Sequence, residues 1–239
     1  MTIRSPWHVG VMDPGAVDAV TVTDGETIKH IRVGDNGSFE IVATAFKRSD
    51  LDVSVQGPSK RPVAYRLLDE GSGLYRVEFT TTEVGNYFVD LAVGGAKVPG
   101  SPFISKAYDA DLIRVTDVPN GVVGQACQFK VDASHAGEGQ LEISICDGEV
   151  PNQVQVLGGG RCLVSFTPER AMKHTIDIKF NGDTVRGCPF VCNVTDTSRV
   201  SVNLRQLELI AVDKPASFLI QVDGSTSAEL AVSVREFVD

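Results

Sequence analysis

Apolar side chains recur at every second position over many short runs of this chain, and that spacing dictates strands. Phe39, Ile41, Ala43 and Ala45 alternate with Ser38, Glu40, Val42 and Thr44. Leu51, Val53 and Val55 alternate with Asp52, Ser54 and Gln56, and the same beat returns in Tyr75/Val77/Phe79 and Tyr87/Val89/Leu91/Val93. Neighbouring side chains of a strand point to opposite faces, so each run reads as a strand with one face buried. Turn-forming clusters punctuate the runs: Asp24-Gly25, Asp35-Asn36-Gly37, Gly57-Pro58-Ser59, Gly71-Ser72-Gly73, Gly94-Gly95 and Pro99-Gly100-Ser101-Pro102. No segment sustains a helical period. Short strands at regular spacing predict an all-β sandwich or barrel.

The strands repeat as a set. Val33-Gly34, Phe39 and Leu51 to Val55 match Val123-Gly124, Phe129 and Leu141 to Ile145 at an offset of 90 residues. Gly73, Val77 to Thr80, Asp90, Gly95 and Gly100 to Phe103 then match Gly160, Val164 to Thr167, Asp177, Gly182 and Gly187 to Phe190 at an offset of 87. Two whole units follow, 15–108 and 109–196. Phe218-Leu219-Ile220 and Leu230 to Val234 match Phe129 and the Leu141 strand, so 197–239 reads as the first half of a further unit. Ser5-Pro6-Trp7 matches Ser101-Pro102-Phe103, so 1–14 reads as the last strand of a preceding unit plus a linker. The 239 residues are expected to be a window on a longer tandem array, with the half unit marginally stable when alone.

The run Gly73-Leu74-Tyr75-Arg76-Val77-Glu78-Phe79-Thr80, followed by Val84 to Leu91, Gly95 and Val98-Pro99-Gly100-Ser101-Pro102-Phe103, resembles the immunoglobulin-like repeats of filamins. Val55-Gln56-Gly57-Pro58-Ser59-Lys60 and Ala136-Gly137-Glu138-Gly139-Gln140-Leu141 carry the same likeness. The second unit departs from the family pattern at Cys162, where an aromatic is usual, and at Ala171-Met172-Lys173-His174, where a Pro/Ala-Gly-x-Tyr turn is expected. The resemblance implies tandem seven-stranded β-sandwiches in a cytoplasmic, cytoskeletal rod. It implies as partners the cytoplasmic tails or peptides of membrane receptors and signalling proteins, neighbouring repeats, and actin through other parts of the parent chain. Physical reasoning on the same residues agrees. Tyr87 follows a Gly turn at the start of a late strand, where its ring can fill the core and its hydroxyl can reach backbone. Pro102 cannot donate to a ladder and marks the start of the last strand, with Phe103 plugging the sandwich end.

In filamins the third main strand and the short strand after it frame a groove to which partner peptides add as a further strand. Main-chain bonds then give affinity and alternate side chains fill an apolar slot. The matching strands here are Leu51 to Gln56 with Pro62 to Leu68, and Gln140 to Cys146 with Gln153 to Leu157. The slot walls would be Leu51, Val53, Val55, Val63, Tyr65 and Leu67 in the first unit. In the second they would be Leu141, Ile143, Ile145, Val154 and Val156. The competing reading makes these ordinary core positions on edges guarded by Asp50, Asp52, Glu142 and Asp147. Pro62 opens the first groove strand, which favours the second unit.

Other chemistry finds little purchase. A formal charge of −9 and a pI near 4.9 argue against nucleic acid as partner. The sequence carries no nucleophile elbow, no phosphate-binding P-loop and no zinc-protease helix, so no enzyme, cofactor or metal is expected. His8, His30, His135 and His174 are scattered, and His174 takes the place of Tyr87 as a structural imidazole. Five cysteines in the second half do not form a disulfide framework. Cys127, Cys146 and Cys162 read as small apolar residues in strands, while Cys188 and Cys192 share a strand face. Asp109-Ala110-Asp111 reads as a solvated linker. The rival from another class is an extracellular adhesion or carbohydrate-binding sandwich. It gains from the sequons at Asn36 and Asn193 and loses from the odd cysteine count and the lack of a secretory segment at the start.

Overall fold

The computed structural model describes residues 14–23, 30–203, 217–222 and 232–233. Two β-sandwiches follow one another along the chain. The first begins with a helical turn, α1 (Pro14–Asp18). One sheet has the order β1 (Thr21–Thr23), β3 (Asn36–Val42), β6 (Leu74–Thr80), β5 (Tyr65–Gly71). The other has the order β2 (His30–Arg32), β9 (Phe103–Tyr108), β7 (Gly85–Val93), β4 (Leu51–Gln56), with β8 (Ala96–Lys97) beside β7. Strands β4 and β5 each end a sheet.

Period-2 patterning sets this register. Phe39 and Ile41 lie opposite Val77 and Tyr75, and Val53 and Val55 lie opposite Leu91 and Val89, so one face of every pair enters the core. Shifting any of these strands by one residue would turn its apolar set outward.

The second sandwich repeats the plan. Its sheets are β10 (Arg114–Thr116), β12 (Cys127–Asp132), β15 (Arg161–Phe166), β14 (Asn152–Gly158), and β11 (Gly121–Val122), β18 (Phe190–Thr195), β16 (Lys173–Phe180), β13 (Leu141–Ile145). β17 (Asp183–Thr184) pairs with β16. Beyond them β19 (Val200–Asn203) pairs antiparallel with β20 (Leu219–Val222). The strand expected around Trp7, and most of the one expected at Leu230 to Val234, lie outside the described residues.

Compactness divides the chain differently from its sheets, grouping residues 133–142 and 179–186 with the described residues up to 113. Inside that first unit the segment 108–113 is partly built into the structure, while Asp111 and Leu112 stay exposed. Tyr108, Ala110 and Ile113 are buried, and Tyr108 donates to Asp183 Oδ2 at 3.0 Å. Asp109 N–H donates to Ala136 O at 2.9 Å, Asp109 Oδ1 caps a short 3-10 turn, and Asp111 pairs with Arg32 at 3.2 Å. Burial and the Asp183 carboxylate together push the Tyr108 phenol up to about 12.

Candidate functional site

The two candidate grooves have the same strands and different openings. In the second sandwich Val154 and Val156 lie directly opposite Val164 and Cys162 across the β14–β15 ladder. Direct partners share a face, and Val164 and Cys162 point into the core, so Val154 and Val156 also face inward. They are nevertheless 49% and 79% exposed. On the opposing edge, Leu141 and Ile143 of β13 are half-buried, while Ile145 is fully buried. An apolar slot therefore runs open between β13 and β14, closed at its Ile145 end.

In the first sandwich the matching residues are covered. Leu51, Val53 and Val55 are buried, Val63 and Leu67 pack partly buried against the core, and Tyr65 alone of the six is as much as 40% exposed. Leu51, Val53 and Val55 thus behave as core residues, the competing reading of that edge. The expected strand from Pro62 begins instead at Tyr65, because 57–63 folds back on the edge. Gly57 N–H donates to Arg61 O, Lys60 N–H donates to Gly57 O, and Val63 N–H reaches Val55 O at 2.8 Å. Pro62, with no N–H to give, forms a bridge with Gln56 and sets Val63 over the slot.

The corresponding loop in the second sandwich is a tight turn. Cys146 and Asp147 adopt left-handed backbone with φ 48° and 55°, followed by Gly148 at 87°. Cys146 therefore belongs to a 3-10 turn and not to the strand expected for it. Val150 N–H donates to Ile145 O at 3.2 Å, and the Asn152 side-chain amide donates to Ile143 O at 3.4 Å. These two bonds define the parity of the edge: the backbone groups of Leu141, Ile143 and Ile145 point away from β16. The long Asn152 bond covers an edge carbonyl that an incoming strand could take over at little cost. Asn152 was not legible as a site residue, since its role depends on where the turn delivers it. Glu142, Asp147 and Glu149 are exposed beside the slot and give its rim a negative charge.

Beyond the closed end lies a cavity of about 280 Å³, whose lining includes Cys146, Val150, Pro151, Met172 and His174. His174, one of its lining residues, takes the place that Tyr87 has in the first sandwich. The Tyr87 hydroxyl accepts from Thr82 and Glu83 N–H at 2.8 and 3.0 Å and donates to Glu83 O at 3.2 Å. The shorter His174 ring is buried, places Nδ1 3.0 Å from Met172 O, and sits 6.2 Å from the Phe166 ring centre.

The remaining candidate chemistry is structural. Among the described residues no three His, Cys, Asp or Glu groups are placed to hold a metal ion, and no helix is long and apolar enough to cross a membrane. Cys188 does not share a strand with Cys192, because β18 starts after Pro189, and its Sγ lies 3.3 Å from Ile178 N and 3.5 Å from Ile178 O.

Comparison with known proteins adds three findings. The Filamin/ABP280 repeat family matches residues 12–104 and 107–191. Filamin-C of Rattus norvegicus is 30% identical over 97% of this chain, and Filamin-A of Drosophila melanogaster is 26% identical over 87%. The chain spans 9% and 10% of those relatives. Among solved structures, the Escherichia coli adhesin FdeC superposes with a TM-score of 0.48 at 15% identity, covering 74% of this chain and 63% of that one.

Proposed function

The chain belongs to the filamin repeat family, whose repeats are structural and not enzymatic, and on that premise we propose that it is a rod segment whose second sandwich captures partner peptides by strand addition. The observation that carries this reading is the exposure of inward-facing Val154 and Val156 beside the free edge of β13. A peptide extended along β13 would exchange main-chain bonds with Leu141 and Ile143 and drop alternate side chains between β13 and β14. The negative rim selects partners with Lys or Arg flanking an alternating apolar stretch. Cytoplasmic tails of receptors and signalling proteins are the proposed source of such peptides, in a cytoskeletal setting where other parts of the parent chain reach actin.

The test uses an array of twelve-residue peptides, alternating β-branched or aromatic residues with Ser or Thr between Lys or Arg ends. Val156 is mostly solvent-exposed, so Val156→Lys should leave stability within ~0.5 kcal/mol. It should lower peptide affinity at least tenfold, while Leu67→Lys in the first sandwich leaves affinity unchanged. Equal binding by Val156→Lys and wild type would refute the assignment.

A further inference from the structure

In the second sandwich two thiols meet where the first sandwich holds one aliphatic side chain. Cys127 opens β12 and Cys192 lies within β18, strands of opposite sheets, and both are buried. Their sulfurs converge on Gly121 of β11. A Cβ there would stand 2.8 Å from Cys127 Sγ and 3.3 Å from Cys192 Sγ. Both sulfurs lie within 3.3 Å of that one point, so the two thiols are neighbours across the sheets.

By repeat alignment Gly121, Cys127 and Cys192 match Ile31, Gly37 and Ser105. There the filling is reversed. A Cβ on Gly37 would stand 2.4 Å from Ile31 Cδ1, so the short strand supplies the bulk and β3 supplies the gap. Glycine on the short strand of the second sandwich is what lets a β12 thiol and a β18 thiol come together. Cys162 faces Val156, and Cys188 is held by Ile178, so neither competes for this place.

We propose that Cys127 and Cys192 are a reversible dithiol–disulfide pair that staples β12 to β18 in the presence of hydrogen peroxide. One thiol, deprotonated, attacks peroxide: an S–O bond forms, the O–O bond breaks, and the departing hydroxide is protonated to water. The second thiolate attacks the resulting sulfenic acid, forming S–S and expelling hydroxide, again protonated to water. Two thiols lose two electrons and two protons, and one peroxide becomes two waters. A dithiol reductant supplies the two electrons that reverse it. Burial pushes the Cys192 thiol up to about 12, so the closed sandwich reacts slowly and the staple forms as its end opens. Once formed, it removes the chain between the two strands from what tension can extend, roughly 22 nm at about 3.4 Å per residue. The pair is independent of the peptide groove.

The experiment treats the whole chain with hydrogen peroxide, blocks free thiols in denaturant, and maps cross-links by mass spectrometry without reduction. The expected result is loss of two hydrogens, a Cys127–Cys192 link, its reversal by dithiothreitol, and its persistence in Cys146→Ser. Pulling single oxidised molecules should release a correspondingly shorter length from the second sandwich. Oxygen additions without a link, or links running through Cys146 or Cys188, would overturn the proposal; the wild-type map decides this without any variant.

Discussion

Replacing Gly37 with Ala should destabilise the first sandwich, and shortening Ile31 should remove that cost. Non-bonded carbons prefer roughly 3.5–4.0 Å, whereas the new Cβ would meet Ile31 Cδ1 at 2.4 Å and Phe79 Cζ at 3.0 Å. Ile31 and Phe79 are both buried, so neither can swing into solvent. Overpacking of this kind costs ~1–3 kcal/mol, against a gain of ~0.5–1 kcal/mol for replacing glycine within a strand. Gly37→Ala alone should therefore lose up to about 2.5 kcal/mol, with the middle of the range at ~1 kcal/mol. Ile31→Val removes Cδ1 at its own cost of ~0.5–1.5 kcal/mol. In that background the remaining conflict is a few tenths of an ångström against Phe79, and Gly37→Ala should be close to neutral. Urea unfolding of the four variants gives the coupling directly, and hydrogen exchange over 36–42 assigns it to the first sandwich. Equal cost of Gly37→Ala in both backgrounds would refute the exchange of volume between β2 and β3, and with it the comparison that explains Gly121.

Three other outcomes follow from the same geometry. Tyr87→Phe leaves the Thr82 and Glu83 N–H groups without their hydroxyl and should cost ~1–3 kcal/mol by urea unfolding, with faster exchange at 82–83; unchanged stability would show that the hydroxyl bonds are replaced by water. His174→Tyr should fill the cavity beside Cys146 and gain ~0.5–2 kcal/mol, and a loss would mean that the cavity is not the volume a phenol vacates. The Tyr108 phenol is held up at about 12 against an ordinary 10, so it favours the fold fully below pH 10 and that contribution disappears as pH rises through 12. Alkaline unfolding should accordingly be steeper for wild type than for Tyr108→Phe between those values, and identical curves would contradict it.

Alternation and repetition were enough to read the strands, because a period of two leaves few ways to bury Phe39, Ile41, Val53 and Val55 together. The hydroxyl role of Tyr87 was likewise legible from its place after a Gly turn. Pro62 already favoured the second slot, but how each slot is covered or left open was not legible. That depends on Pro62 and Val63 folding back on β4, against the left-handed turn at Cys146 and Asp147 that leads directly into β14. Sequence spacing also misled for the cysteines. Cys188 and Cys192 are close in sequence but separated by the start of β18, whereas Cys127 and Cys192 come together at Gly121 through pairing of distant segments that no local pattern encodes. The pairing of the linker aspartates was not legible for a similar reason, since the partners of Asp109 and Asp111 are Ala136 and Arg32.

Residue-resolved hydrogen exchange of the chain bound to a peptide chosen from the array tests strand addition most directly. The amides of Leu141 and Ile143, which point to the free edge of β13, should slow at least tenfold on binding, and Val156→Lys should abolish the change. Protection gained along 51–56 in place of 141–145, or gained at neither edge, would contradict a partner strand on the second sandwich.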